Sequence, residues 1–81
     1  MTKYELMYRS TYAERYESEQ NDQMEDLADS WPEVTLISSE GGTDGTMADN
    51  IIVVSGPQKA VRGLAQRMQH ELRRRVDIDV R

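Results

Sequence analysis

"DNIIVVSGPQKAVRGLAQRMQHELRR", residues 49–74, is the stretch whose reading decides the fold. Within it, IIVVS (51–55) is continuously apolar, as a central strand covered on at least one face should be. Gly56 then turns the chain. Pro57 suits the first position of a helix, where its missing N–H would have had no partner anyway. Ala60, Val61, Leu64, Ala65, Met68 and Leu72 recur at helical spacing and form one apolar stripe of a helix ending near Arg74. A strand, a glycine turn and a helix also make the local arrangement that cradles a phosphate. A P-loop, however, needs several glycines followed by Lys and Ser/Thr, and a dinucleotide site needs G-x-G-x-x-G. SGPQKAV offers one glycine, and its proline removes an N–H that a phosphate would use. The turn reads as a corner.

Working outward, KYELMYRS (3–10) alternates, with Tyr4, Leu6 and Tyr8 on one side and Lys3, Glu5, Met7 and Arg9 on the other, as in a half-buried strand. Thr11 and Glu14 have capping-box spacing and predict a helix start. At ~100° per residue, Tyr12, Ala13, Tyr16, Met24, Leu27 and Trp31 fall within ~60° of Leu27. One helix is therefore expected from Tyr12 to about Ser30, stopped by Pro32, which disfavours helical geometry at Trp31. VTLIS (34–38) reads as a second strand, and SEGGTDGTMADN (39–50), with three glycines and no period, as a long mobile loop. VDIDV (76–80) alternates again, as a short closing edge strand with its acids outward.

The order β-α-β-β-α-β predicts a single α+β domain over residues 1–81 with a ferredoxin-like arrangement. Four antiparallel strands carry two helices on one face, and strands one and three form the central pair. Eighty-one residues suffice for one thin-cored domain, and with no cysteine the core must come from packing alone. No apolar run approaches the ~20 residues of a membrane span, and MTKYELMYRS has no apolar stretch of the signal-peptide kind. A soluble, cytoplasmic protein without membrane contact is the expectation.

IIVVSGPQKAVRGLAQRM is similar to the last strand and helix of KH RNA-binding domains, but the GxxG loop that clamps RNA there is absent. RNA-recognition motifs share the predicted fold and stack bases on aromatics of the open sheet face. Here Tyr4 and Tyr8 belong to the helix-covered side, and the chain has no Phe. The single histidine, His70, falls on the outer side of the second helix, where a solvated role outweighs general-base chemistry. Asp77 and Asp79 are edge-strand neighbours, and Glu40, Asp44 and Asp49 lack calcium-loop spacing. No catalytic residue, metal or cofactor is expected, and the protein is read as a non-enzyme.

Charge distribution is the feature that asks for a reason. The net charge of −5 hides an acidic stretch, residues 14–49, with eleven acids against Arg15 alone, and a basic second half, residues 50–81, in which seven Lys/Arg face three acids. On the first helix, Glu19, Asp22, Glu25, Asp26 and Asp29 (with Glu14 and Glu17 before them) cover the side away from the apolar stripe. Like-charge neighbours at helical spacing cost ~0.2–0.5 kcal/mol each, so a thin-cored domain keeps this face at some expense. A solubility-giving wet surface and a docking surface are the competing explanations. The leading expectation is a small acidic interaction protein that docks on a partner with a basic surface. By analogy with phage anti-CRISPR proteins, which rests on size and charge alone, it would be an inhibitor occupying a nucleic-acid-binding surface. The alternatives are a nucleic-acid-binding module using Lys59, Arg62, Arg67, Arg73 and Arg74 of the second helix, and a homodimer through the open sheet face.

Overall fold

A computed structural model describes residues 2–11, 20–44 and 46–81. The expected capping box, and the expected helical positions Tyr12, Ala13, Tyr16 and Glu19, lie outside the described residues. The elements run β1 (Lys3–Thr11), α1 (Gln20–Ser30), β2 (Thr35–Asp44), β3 (Met47–Ser55), α2 (Gln58–Leu72) and β4 (Asp77–Val80). All strand pairs are antiparallel and the sheet order is β2-β3-β1-β4, so the predicted ferredoxin-like topology is the observed one, with β1 and β3 central.

Alternation along β1 sets the two faces. Tyr4, Leu6 and Tyr8 are buried on the helix-covered side with Ile52 and Val54 of β3. α2 lays Val61, Leu64, Ala65, Met68 and Leu72 on them, the stripe that its sequence period predicts. α1 covers the β2–β3 half of the sheet. Its buried face is centred on Met24 and Ala28, both 0% exposed, while Leu27 and Trp31 are only partly buried. That corrects the expected register, which centred on Leu27. At ~100° per residue the centre of the face is turned by ~80° from Leu27, and Ala28, ~100° from Leu27, falls outside the expected stripe.

The largest departure is the expected loop at 39–50. Residues 39–44 and 47–50 of it are strand. Glu40 to Asp44 pair with Ile51 to Met47 in unbroken register, so β2 and β3 form one long hairpin. Two things hide it in the sequence. A bulge between Leu36 and Ser38 inserts Ile37 and breaks the alternation of β2. In β3 the inward positions Ala48 and Asn50 are small or polar, so no apolar period appears, although both are buried. Asn50 Nδ2 donates to buried Ser10 Oγ at 2.9 Å, which accounts for one polar group of this end of the sheet.

Gly56 is a required corner. A Cβ there would lie 2.6 Å from the Glu33 carbonyl oxygen, and its φ is 159°. Pro57 stands one position earlier than expected, as the residue before the first helical turn, with its carbonyl accepting from Val61 N–H at 3.0 Å. α2 ends at Leu72, two residues short of the expected Arg74, because Arg73 adopts the left-handed conformation at φ 55°.

Candidate functional site: the acidic face of α1

Asp22, Asp26 and Asp29 are exposed on the side of α1 turned from Met24 and Ala28, and Glu25 is half-buried at the flank of that side. Among the described residues none of these four carboxylates forms an ion pair. The ion pairs lie elsewhere: Arg9 with Asp49, Arg67 with Glu71, Arg75 with Asp77, and Arg81 with both Glu5 and Glu40. No described ion pair crosses from α1 to α2, so the neutralisation that adjacent helices of opposite charge would suggest is not made. The helix has no basic residue in its last turn, where Asp29 sits against the negative end of the dipole. Ser30 Oγ donates back to the Asp26 carbonyl at 2.9 Å, giving that end one of the few local contacts it has.

The basic candidates are not one patch. Lys59, Arg62, Arg67 and Arg73 are exposed and Arg74 is half-buried. Arg67 is held by Glu71 at 2.9 Å, one helical turn on, and Arg74 donates through Nη1 to the Arg9 carbonyl at 3.2 Å. Gln69 with Arg73, Arg74 and Arg75 borders a wide, shallow depression of about 480 Å³ at the α2 C-terminus. His70 is exposed, and among the described residues no three His, Asp or Glu side chains come together as a metal site would require.

The open sheet face carries a feature that sequence reasoning missed. Arg81, following β4, reaches across the sheet: Nε is 3.5 Å from Glu5 of β1 and Nη1 3.2 Å from Glu40 of β2. Val53, on the strand between those of Glu5 and Glu40, is only 1% exposed although it faces away from the helices. Ile37 remains 44% exposed at the bulge, while Met7 and Ile51 are half-buried. This network depends on β2 extending to Glu40, a residue that the sequence reading left in a loop.

No family model and no curated protein matches the sequence. Among solved structures, the fold resembles part of a formyltetrahydrofolate deformylase from Burkholderia mallei, at a TM-score of 0.65 and 13% identity over 99% of this chain. The chain spans only 28% of that protein's length. It also resembles a de novo designed protein with ferredoxin fold, at a TM-score of 0.50 and 17% identity, covering 99% of this chain and 83% of the design. At such identities the likeness shows the ferredoxin-like fold alone. Among the described residues no helix is long and apolar enough to cross a membrane.

Proposed function

We propose that this chain is a small protein-binding module that docks, through the acidic face of α1, on a positively charged surface of another protein. One observation carries the reading: Asp22, Glu25, Asp26 and Asp29 share one stretch of solvent-facing helix with no cation paired to any of them among the described residues. Isolated surface charges usually find a counter-ion nearby or are dispersed. Four concentrated on seven residues' rise produce a local negative field that steers a basic partner and raises its association rate.

The spacing suggests the kind of surface. At ~1.5 Å rise per residue the four charges span ~10.5 Å, about 3.5 Å per charge along the axis. A nucleic-acid strand carries one phosphate per ~3.4 Å. The helix therefore presents a linear charge density close to that of a single strand, which is what a protein occupying a nucleic-acid-binding surface needs. The nucleic-acid-binding alternative draws less support, since Arg67 and Arg74 are already engaged within the chain. The open-face homodimer is likewise disfavoured by the charged Glu5–Arg81–Glu40 network that spans that face.

The test is capture from cell lysate on the immobilised chain, compared with the variant carrying Asp22→Asn, Glu25→Gln, Asp26→Asn and Asp29→Asn. Basic proteins retained at low salt by the parent, lost by the variant, and displaced by added single-stranded nucleic acid are the expected result. Retention of the same proteins by both would reduce the acidic face to a wet surface. The double reversal Arg62→Glu and Arg67→Glu should leave capture nearly unchanged.

A further inference from the structure

The second surface that asks for an occupant lies at the opposite edge of the sheet, along β4 and the flank of α2. Among the described residues β4 is the end strand, paired only with β1. Arg81 N–H donates to the Lys3 carbonyl at 2.9 Å, which directs the backbone groups of Asp77, Asp79 and Arg81 toward β1. By the alternation of a strand, the N–H and C=O of Ile78 and Val80 point away from the sheet. Their side chains lie on the helix side, opposite Leu6 and Tyr4, yet Ile78 is 36% and Val80 71% exposed. α2 does not reach over them. Between the strand and the helix runs a groove. One part, about 210 Å³, is lined by Tyr4, Gln58, Val61, Arg62, Ile78 and Val80. It continues past Arg62 and Ile78 into a second of about 250 Å³, floored by Ala65 and Val76.

We propose that this edge and groove receive an extended segment of a partner protein in which apolar and basic residues alternate. An added strand would pair with the four outward backbone groups of Ile78 and Val80 and drop every second side chain onto the apolar floor. The charge on the other side of β4 selects the remaining side chains. Asp79 stands directly opposite Glu5 of β1, a like-charge pair offset only by the contact of Arg81 with Glu5 at 3.5 Å, and Asp79 itself has no ion pair among the described residues. A lysine or arginine beside Asp79 on the incoming strand relieves that repulsion, and an acid worsens it.

The same charges argue against a second copy of this chain as the occupant. Antiparallel self-pairing that keeps the apolar side chains on one side and pairs both Ile78 and Val80 with β4 or its flanking residues sets Asp79 opposite Asp79, or Asp77 opposite Asp79. Arg81 is already committed to Glu5 and Glu40. Acids on an edge strand are a usual guard against self-pairing, and here they discriminate in favour of a basic strand. The groove is independent of α1, which covers the other half of the sheet, so either reading can fail alone.

The experiment uses the full chain with the four α1 substitutions above, so that a basic peptide is not drawn to that helix. Three seven-residue peptides are titrated against it and followed by backbone amide NMR. One alternates valine and lysine, one alternates valine and glutamate, and one has the first peptide's composition with its valines contiguous. The alternating valine–lysine peptide should shift the amides of Ile78, Val80 and the facing side of α2 from Val61 to Gln66. Ile78→Lys or Val80→Lys, both at exposed positions, should weaken it roughly ten-fold or more while leaving the dispersed spectrum of a folded chain. Asp79→Lys should reverse the preference toward the glutamate peptide. Shifts located away from β4, equal binding of the glutamate peptide, equal binding of the contiguous-valine peptide, or no preference reversal in Asp79→Lys would each overturn the proposal.

Discussion

Neutralising the acidic face of α1 should make the isolated protein more stable, and the size of the gain follows from the helix geometry. Asp22 with Glu25 and with Asp26, Glu25 with Asp29, and Asp26 with Asp29 are four like-charge pairs three or four residues apart. At ~0.2–0.5 kcal/mol each they cost on the order of 1–2 kcal/mol. No described cation offsets them. Asp22, in the first turn, is favoured by the helix dipole by about as much as Asp29, in the last, is disfavoured, so those two contributions nearly cancel. Asp to Asn and Glu to Gln change helix propensity little. The quadruple variant should therefore gain ~1–2 kcal/mol. With a urea m-value near ~1 kcal/mol/M for a chain of this size, the midpoint moves up by on the order of 1–2 M. Trp31, the single tryptophan, lies 3.5 Å from the position a Cβ would take on Gly63 and reports the helix–helix contact by its fluorescence. Salt provides the control. Going from ~0.1 M to ~1 M shortens the screening length from about 10 Å to about 3 Å, so most of the gap between parent and variant should close. A variant no more stable than the parent, or a gap indifferent to salt, would refute the claim that these carboxylates are kept at a cost to the fold.

Three further outcomes follow from the packing. Met24→Ala should lose ~2–4 kcal/mol in urea unfolding, and Leu27→Ala, whose side chain is only partly buried, clearly less; the reverse order would restore the register centred on Leu27. Gly56→Ala should destabilise by ~1–3 kcal/mol because its Cβ meets the Glu33 carbonyl. Gly63→Ala, whose Cβ would find Trp31 at an ordinary 3.5 Å, should instead stabilise by ~0.5–1 kcal/mol, and thermal melts of the two variants read both signs. Generic single-stranded RNA or duplex DNA should bind no tighter than ~10 µM at physiological salt, as measured by anisotropy, because the whole-molecule charge is negative and, among the described residues, the open face presents no aromatic side chain.

The topology was legible because local patterns agreed with one another. Period two in KYELMYRS, the apolar run IIVVS and the stripe Val61–Leu64–Ala65–Met68–Leu72 each admit one good partner. Right-handed crossovers leave few ways to join them. Even the corner at Gly56 was readable from composition, although the clash that makes glycine necessary comes from Glu33, more than twenty residues away in sequence. The positions of the candidate charges were legible for the same reason: an exposed helix face is fixed by its own period.

Everything that depends on one element meeting another was left to the tertiary structure. The hairpin through Gly41 and Gly42 gains its ladder from β3, so a sequence with no strand period pairs as strand once its neighbour is in place. Ala28 is buried on the side of α1 that packs on β2 and β3, a side that the apolar period centred on Leu27 does not mark. Arg81 bridges Glu5 and Glu40 only because these two acids, distant in sequence, stand on the same face of one sheet, on the strands either side of β3. Among the described residues the acids of α1 stay unpaired for the opposite reason. Arg67 of the neighbouring helix is turned to Glu71, and Arg74, just beyond that helix, to the Arg9 carbonyl, and charge complementarity in the sequence cannot say which way a side chain is turned.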